Sequence, residues 1–402
     1  MIYRKEKVMT EPKCIILQPE YVEHFQCDGT KCSAKCCQNW RIDIDIDTYK
    51  KYQRIKNPNI RKKIISSIEP HPFKSDCMKI KLNSDGACPL ICSDNLCYIH
   101  RNLGEEWLSL TCQVYPRVVR YVGNFQLRIL SMTCPVAAEV ALFSEHGMDI
   151  SNVLPDKENA AWRIALKTKK THLNTDVKMA ANVILGCLSI LQNTAYTREQ
   201  RLVILGLYLD KIDDLKNSIH AAGDIAALTV FYNGDKFQKE IDELFENWSF
   251  FSTAHGQLLT GILSVMEGKK EFSHIRPLVK QANTYDESYN KFHNLIENTY
   301  GKAIDNYWQQ EFLYHGFPFC IEGSFLHNYF AFLIAYKLWE MYIYSFFQAY
   351  DCCLTKENFL DLVAKYSRKL DHRKNFVSLM IEHTAPFEAE PIKLMQVLLR
   401  LK

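Results

Sequence analysis

The uneven distribution of cysteine constrains this 402-residue sequence more than any other feature. Eleven of the fifteen cysteines lie within the first 134 residues: Cys14, Cys27, Cys32, Cys36, Cys37, Cys77, Cys88, Cys92, Cys97, Cys112 and Cys134. In a reducing compartment, thiols at this density bind metals or carry out redox chemistry, because structural disulfides do not persist there. The first third of the chain is therefore predicted to fold around a metal.

The cysteine spacing favours thiolate ligation. One run reads Cys27-x4-Cys32-x3-Cys36-Cys37, and a second reads Cys88-x3-Cys92-x4-Cys97. Such spacings allow one loop to present two or three of the four sulfurs that a tetrahedral metal or an iron–sulfur cluster requires. Zinc and iron–sulfur centres both accept four thiolates, so ligand type does not separate them. The side chains of consecutive residues such as Cys36 and Cys37 tend to point apart. Either one of the two thiols is spare, or the region holds two metal sites.

Composition and charge narrow the class of protein. Hydrophobic residues make up 47% of the chain and charged residues 24%, as in ordinary folded proteins. A net charge of +3 is too small and too dispersed to indicate a nucleic-acid partner. The N-terminus has no apolar run of the length that a signal peptide needs, and no window of the sequence reaches the roughly 18 uninterrupted apolar residues of a membrane span. We therefore expect a cytoplasmic protein with no membrane partner.

Strand and turn signals accompany the cysteines. Residues 41–47 alternate between polar and apolar side chains as a half-buried strand does, and Thr48 is a candidate helix cap. Residues 117–121 and 125–129 flank Gly123-Asn124, which is a strong hairpin signal. Pairing of these strands would bring Cys112 and Cys134 to the same open end, so the two thiols are candidate ligands of one site.

The rest of the chain has helical periodicity. Apolar residues recur every three to four positions over 179–191 and 202–212, and Thr197 with Gln200 forms a capping-box pattern before the second stretch. Residues 329–347 read as a buried helix. The predicted fold class is α+β: a small cysteine-rich metal-binding region with short strands and a hairpin over 1–150, then a mainly α-helical region over 151–402. The second region is the candidate for donor and substrate binding.

Three familiar cofactor motifs are absent from the sequence. No two glycines stand two positions apart, so the G-x-G turn of dinucleotide-binding and Rossmann-type methyltransferase folds is missing, and so is the Walker phosphate loop. The run Cys88-x3-Cys92-x4-Cys97 departs from the C-x3-C-x2-C spacing of radical enzymes that cleave S-adenosylmethionine. A nucleotide-like cofactor would therefore need a less familiar site.

The cysteine motifs nevertheless resemble a known family. They comprise the 25–37 run followed by Trp40, GACPL at 86–90, LCYIH at 96–100, LTC at 110–112, YPR at 115–117 and SMTCP at 131–135. In order and spacing these motifs resemble the flagellin lysine-N-methylases of bacteria, and their core also resembles proteins described as zinc- or iron-chelating. The motifs cover residues 25–138, and the helical remainder agrees with the methylases.

The resemblance implies an activity and a cofactor. The activity is methyl transfer from S-adenosylmethionine to lysines of flagellin, by an enzyme with a [4Fe-4S] cluster in the cysteine-rich region. The implied pool of metal ligands, of which four would serve, is Cys27, Cys32, Cys36, Cys37, Cys88, Cys97, Cys112 and Cys134. Zinc is the alternative metal, and a non-catalytic metal carrier or assembly partner is the alternative function.

Catalytic candidates come from the aromatic segment 308–319. A lysine attacks a sulfonium methyl only when neutral, which an aromatic pocket and a nearby base favour. We take Glu311 and Tyr314 as candidate catalytic residues and Phe317 and Phe319 as candidate cofactor-binding residues. Core packing remains the alternative for each. The cluster could stabilise the fold. Alternatively, it could anchor the methyl donor, and only this second role would require one iron without a protein ligand.

Overall fold

The computed structural model describes residues 15–27, 35–38, 41–122, 125–152, 162, 177–218, 220–267, 285–320, 323–349, 354–370 and 390–401. Within these ranges all strands precede residue 153 and the later part is helical, which confirms the predicted α+β class. Cys32, Trp40 and the hairpin turn Gly123-Asn124 lie outside the described residues.

The first part of the chain contains seven strands and five short helices among the described residues. In chain order they are β1 (Ile15–Pro19), β2 (Asp43–Asp45), α1 (Ile46–Gln53), α2 (Pro58–Ser66), β3 (Ile68–Pro70), β4 (Cys77–Ile80), α3 (Tyr98–Leu103), α4 (Leu110–Val114), β5 (Arg117–Val122), β6 (Phe125–Leu130), α5 (Pro135–Phe143) and β7 (Ile150–Asn152). The later helices are α6 (Val177–Gln192), α7 (Arg198–Leu215), α8 (Ala221–Tyr232), α9 (Asp235–Glu246), α10 (Ser252–Glu267), α11 (Tyr285–His315), α12 (Phe325–Ala349), α13 (Lys356–Leu370) and α14 (Pro391–Leu398).

A small hydrophobic core forms within the cysteine-rich region. Strands β2, β4 and β3 make an antiparallel sheet in that order. Ile44 from β2, Tyr52 from α1 and Ile64 from α2 are fully or almost fully buried together with Cys88. Cys37, Cys97 and Cys112 pack against this core, so apolar packing helps to position their thiols.

The start of α1 differs from its prediction. The strand ends at Asp45 rather than continuing to residue 47, and the helix begins at Ile46. Asp45 is the N-cap, since its carboxylate accepts a hydrogen bond from the backbone N–H of Thr48 at 2.8 Å. Thr48 therefore lies inside the first turn. Aspartate caps a helix as well as threonine does. The alternating polar and apolar pattern over 41–47 did not show which of the two residues would be the cap.

The second sheet contains the predicted hairpin. Its strand order is β5-β6-β1-β7, and β5 pairs antiparallel with β6 from Arg117↔Leu130 to Val122↔Phe125. This register leaves a two-residue connection, as the Gly123-Asn124 signal predicts. β1 runs parallel to β6 and antiparallel to β7. Strand β6 of this sheet packs on α11 and α6, so the core of the sheet is continuous with that of the helices.

The helical prediction is confirmed where capping and periodicity were strong. Thr197 and Gln200 form both hydrogen bonds of a capping box at the start of α7. The predicted buried helix over 329–347 lies within α12, where even Lys337 and Glu340 are buried and pair at 2.8 Å. Over the described part of the chain, we find no helix of the length and hydropathy needed to cross a membrane. The boundary near residue 150 stays a prediction.

Candidate thiol centre and candidate catalytic site

Five cysteines from three segments converge beside the small core. The Cys36 and Cys37 sulfurs are 3.6 Å apart, and the Cys37 thiol also forms a hydrogen bond with Cys88. Cys97 and Cys112 lie within electrostatic range of Cys88 and Cys36. We call Cys36, Cys37, Cys88, Cys97 and Cys112 the thiol group. The thiol group thus brings together five members of the predicted pool, and their role as metal ligands stays a prediction.

Hydrogen bonds join the first two of these segments and order the third. The N–H of Cys88 donates to the carbonyl of Cys37 at 2.8 Å, which joins the first cysteine run to the second. Within the second run, the N–H of Tyr98 donates to the Leu90 carbonyl at 2.7 Å, next to Cys97. Ser109 caps α4 by accepting from the Cys112 N–H at 3.4 Å. These three hydrogen bonds to backbone N–H groups therefore constrain the positions of the thiols.

Burial makes the thiol group unfavourable for unpaired negative charge. Loss of hydration raises the pKa of Cys112 to about 12 and raises the pKa of Cys97. Cys37, which contacts two other thiols, has a pKa well above its ordinary range, whereas hydrogen bonding to Cys37 lowers the pKa values of Cys36 and Cys88. Several thiolates can therefore coexist here only with a compensating cation, which is the electrostatic setting of a thiolate metal site.

The remaining members of the predicted pool lie elsewhere or are not described. Cys27 is exposed, within electrostatic range of Arg117. Cys134 is buried beside Tyr115. Burial raises the pKa of the Tyr115 hydroxyl, and the nearby Cys134 and Cys36 thiols raise it further. In the described ranges, no three Cys, His, Asp or Glu side chains form a metal-binding arrangement, so the thiol group is a pool of donors rather than an ordered ligand shell.

Glu311 occupies a buried position near the end of α11. Glu311 is 6% exposed. Loss of hydration raises the pKa of its carboxyl group to about 8, and the positive charge of Arg120 opposes this rise. One carboxylate oxygen lies 3.2 Å from Nε2 of His315, one turn later on the helix. The other oxygen, Oε1, is buried and accepts no hydrogen bond from the residues that the structure describes. A carboxyl group in this setting can accept a proton near neutral pH.

Arg120 connects the hairpin to this site. Its Nε donates to the carbonyl of Tyr314 at 2.6 Å, and its guanidinium carbon lies 5.0 Å from the centroid of the Tyr314 ring. The Phe317 ring packs edge-on against Phe332 and is 3% exposed. Phe319 packs similarly against Phe325. Both rings are core-like in exposure, and their assignment to cofactor binding stays a prediction.

Sequence reasoning missed Arg120 and His315. Arg120 lies 194 residues before Tyr314, and no local pattern reports a contact at that separation. His315 is different, because its spacing of four from Glu311 on a helical stretch places both side chains on one face. That spacing was available as a signal.

The chain is similar in sequence to several known proteins. Residues 185–390 match the family profile of the FliB lysine N-methylase C-terminal domain. The flagellar biosynthetic protein FliU of Salmonella muenchen is 37% identical over 122 residues, which are 30% of this chain and 72% of that protein. No solved structure gives a significant match.

Two lysine-N-methylases are also similar. Those of Salmonella choleraesuis (strain SC-B67) and Salmonella typhimurium (strain LT2) are 34% and 33% identical over 142 residues. These alignments span about a third of this chain and about a third of each relative, 34% in every case. Because the family profile covers half of the sequence, the chain belongs to the FliB lysine N-methylase family.

Proposed function

We propose that this protein transfers methyl groups from S-adenosylmethionine to lysine side chains of flagellin in the cytoplasm. The observation that carries the proposal is the match of half the chain to the FliB lysine N-methylase family. The names of two relatives, lysine-N-methylases, support the reaction, and the name of a third, a flagellar biosynthetic protein, supports a flagellar substrate. A cytoplasmic location suits free thiols.

The thiol group is the proposed site of a [4Fe-4S] cluster. It offers one more sulfur than the four that such a cluster or a zinc ion takes, and burial there favours a bound cation. Cys88, Cys97 at the start of α3 and Cys112 within α4 would supply three sulfurs, and Cys36 or Cys37 would supply the fourth. When bound, such a centre with four thiolate ligands would stabilise the small core.

The reaction needs a neutral lysine at the sulfonium methyl. A lysine ammonium titrates near 10.4 in water, so transfer into a poorly hydrated site and loss of a proton must precede attack. Glu311, with a pKa of about 8, is the proposed acceptor of that proton. The lysine nitrogen then forms a bond to the methyl carbon, the carbon–sulfur bond breaks, and its electron pair stays on sulfur as the thioether forms. Arg120 and Tyr314 would position the carboxyl and the substrate.

Labelled donor tests the proposal directly. The protein, purified anaerobically, is incubated with flagellin and S-adenosylmethionine labelled in the methyl group, and peptides are analysed for methyllysine. Label on flagellin lysines supports the proposal. Intact metal centre without label on lysine contradicts it and favours the alternative, a non-catalytic metal-binding protein. Iron, sulfide and zinc analysis of the same sample identifies the metal.

A further inference from the structure

The first two helices carry a concentration of positive charge. α1 and α2 pack against each other and are joined by residues 54–57, and we call residues 46–66 the basic helix pair. No Asp or Glu lies between Asp47 and Glu69. The whole chain has a net charge of only +3, so the residues outside this segment are net negative together. Seven of the fourteen residues over 50–63 are basic: Lys50, Lys51, Arg54, Lys56, Arg61, Lys62 and Lys63.

Apolar packing determines which side of the basic helix pair faces solvent. Tyr52, Ile55 and Ile64 are fully or almost fully buried in the small core, beside the thiol group. Asn57 caps α2 by accepting hydrogen bonds from two backbone N–H groups of its first turn. Arg61 donates from Nη1 to the Ile55 carbonyl at 3.2 Å, which ties the connection to α2. The helices are therefore ordered by their inner side, and the basic side chains form a fixed outer surface.

Four cations of this surface have no counterion among the described residues. The side chains of Lys50, Arg54, Lys56 and Lys62 are exposed and form no ion pair or hydrogen bond with the part of the chain that the structure describes. Lys50 and Arg54 stand four positions apart, a spacing at which like charges destabilise a helix. The repulsion within the pair would be relieved by a partner that brings carboxylates or phosphates to it.

The form of the surface favours an acidic protein over a nucleic acid. Single strands bind where cations alternate with open aromatic faces, and duplexes require many phosphate contacts along a basic surface. Two rings beside the helix pair are covered by its own cations: Nζ of Lys51 lies 4.4 Å from the centroid of Trp107, and Nζ of Lys63 lies 4.0 Å from that of Tyr98. Each helix spans only about 12–14 Å, and the net negative remainder of the chain would repel a long polyanion. A cluster of carboxylates on a protein surface matches this size and charge.

We propose that the basic helix pair is the docking surface for an acidic face of the protein substrate. The identity of that substrate as flagellin rests on the proposed function, whereas the preference for carboxylates rests on the helix pair alone. The lysine that is methylated is itself a cation and is repelled by this surface, so docking and reaction take place at different surfaces of the protein. Attraction of this kind accelerates encounter and orients the two proteins.

Binding of flagellin in the absence of a methyl donor tests the surface without catalysis. Surface plasmon resonance compares the full-length wild-type protein with a triple variant of the helix pair, Lys50→Glu, Lys56→Glu and Lys62→Glu. A matched control changes the net charge equally by reversing exposed lysines of α6, α9 and α11, namely Lys178→Glu, Lys239→Glu and Lys302→Glu. The helix-pair variant should bind flagellin about tenfold or more weakly, and the control should bind within about twofold of the wild type. Equal weakening in both triple variants, or in neither, would overturn the docking surface.

A second set of measurements needs no variant. Flagellin should slow amide hydrogen exchange in α1 and α2 of the wild-type protein, and polyglutamate should compete with flagellin for binding. Raising the salt concentration from about 0.05 M to about 0.3 M should weaken binding about tenfold or more, because exposed charges are screened. Binding that is independent of salt and leaves exchange in both helices unchanged would overturn the proposal. An oligonucleotide that binds the helix pair more tightly than polyglutamate of the same length would overturn it in favour of a nucleic-acid site.

The outcomes separate the docking surface from the proposed function. If the wild-type protein methylates flagellin and the helix-pair variant binds flagellin normally, the docking surface is overturned and the proposed function stands. If the helix pair is required for binding but no lysine of flagellin is methylated, the docking surface is supported and the proposed function is contradicted.

Discussion

Glu311 shows how a single buried side chain can be prepared for proton transfer. Its carboxyl has lost most of its hydration, the opposing charge of Arg120 only partly offsets this loss, and the pKa settles at about 8. A base of that strength is deprotonated in part of the population at neutral pH and more fully above it. The catalytic proposal therefore makes a prediction about pH.

Methylation by the wild-type protein should rise as pH increases through about 8, because Glu311 must be ionised to accept the proton of the lysine. Glu311→Gln should lower the rate by about a hundredfold or more and remove this pH dependence. Rates of label transfer measured across the range provide the check, with Glu139→Gln, an exposed carboxylate on α5, as the control. A Glu311→Gln profile parallel to that of the wild type would contradict a role as base.

The same residue should also make folding stability depend on pH. Its pKa is 4.5 in the ordinary case and about 8 in the folded protein, so the neutral form favours folding. That contribution is fully present below about pH 4.5 and is lost as pH rises to about 8. Glu311→Gln, which is neutral throughout, should therefore gain stability relative to the wild type by a few kcal/mol between about pH 5 and pH 9. Urea unfolding at the two pH values measures the gain, and an equal difference at both would contradict it.

At the scale of secondary-structure elements, a side chain from another helix binds the N-terminus of α12. Asp213 on α7 accepts hydrogen bonds from the backbone N–H groups of Phe325 and Leu326, both at 2.9 Å, and from the Ser324 hydroxyl at 2.6 Å. An N-terminal turn leaves such N–H groups without partners inside its own helix. Asp213 therefore caps α12 across the tertiary fold.

Asp213→Ala should lower the free energy of unfolding by about 2 kcal/mol, since it removes a charged cap from a buried helix start. Asp214→Ala, at the neighbouring residue, is the matched control, because the Asp214 side chain is 73% exposed and its ion pair with Lys211 spans 3.8 Å. This control should change stability by less than about 0.5 kcal/mol. Equal effects of the two substitutions in urea unfolding would show that the cap does not contribute.

Local features were predictable from the sequence, and distant contacts were not. The capping box at Thr197 and the 117–130 hairpin depend on residues a few positions apart, so pattern and propensity define them. The thiol group was predictable in outline because cysteine spacing reports shared chemistry. The contacts of Arg120 with Tyr314 and of Arg198 with Asp305 join residues 194 and 107 positions apart. Only the tertiary fold specifies which partners meet at such separations.

On the scale of the whole molecule, the described residues form two hydrophobic cores. One surrounds the thiol group and the β2-β4-β3 sheet, and the other extends from the four-stranded sheet through the helices. A small core supplies little stability by itself, and a bound metal adds folding free energy to the unit that holds it. The two cores should therefore respond differently to loss of the metal.

Chelation should loosen the small core selectively. Hydrogen exchange should become faster in α1, α2 and β4 after the metal is removed, while the amides of α7 and α12 keep their protection. Mass-spectrometric exchange of the protein with and without a chelator provides the comparison. Uniform loss of protection across both cores, or none in either, would contradict separate stabilisation of the cysteine-rich unit.

Metal content of cysteine variants tests the central claim, that the thiol group shares one metal centre. Cys88→Ser, Cys97→Ser and Cys112→Ser, purified anaerobically, should each lose most of the iron or zinc that the wild-type protein carries. Cys77→Ser and Cys187→Ser should retain it, because the Cys77 thiol donates to backbone carbonyls and Cys187 is buried in the helical core. Equal metal content in all five variants, or none in the wild-type protein, would contradict the account.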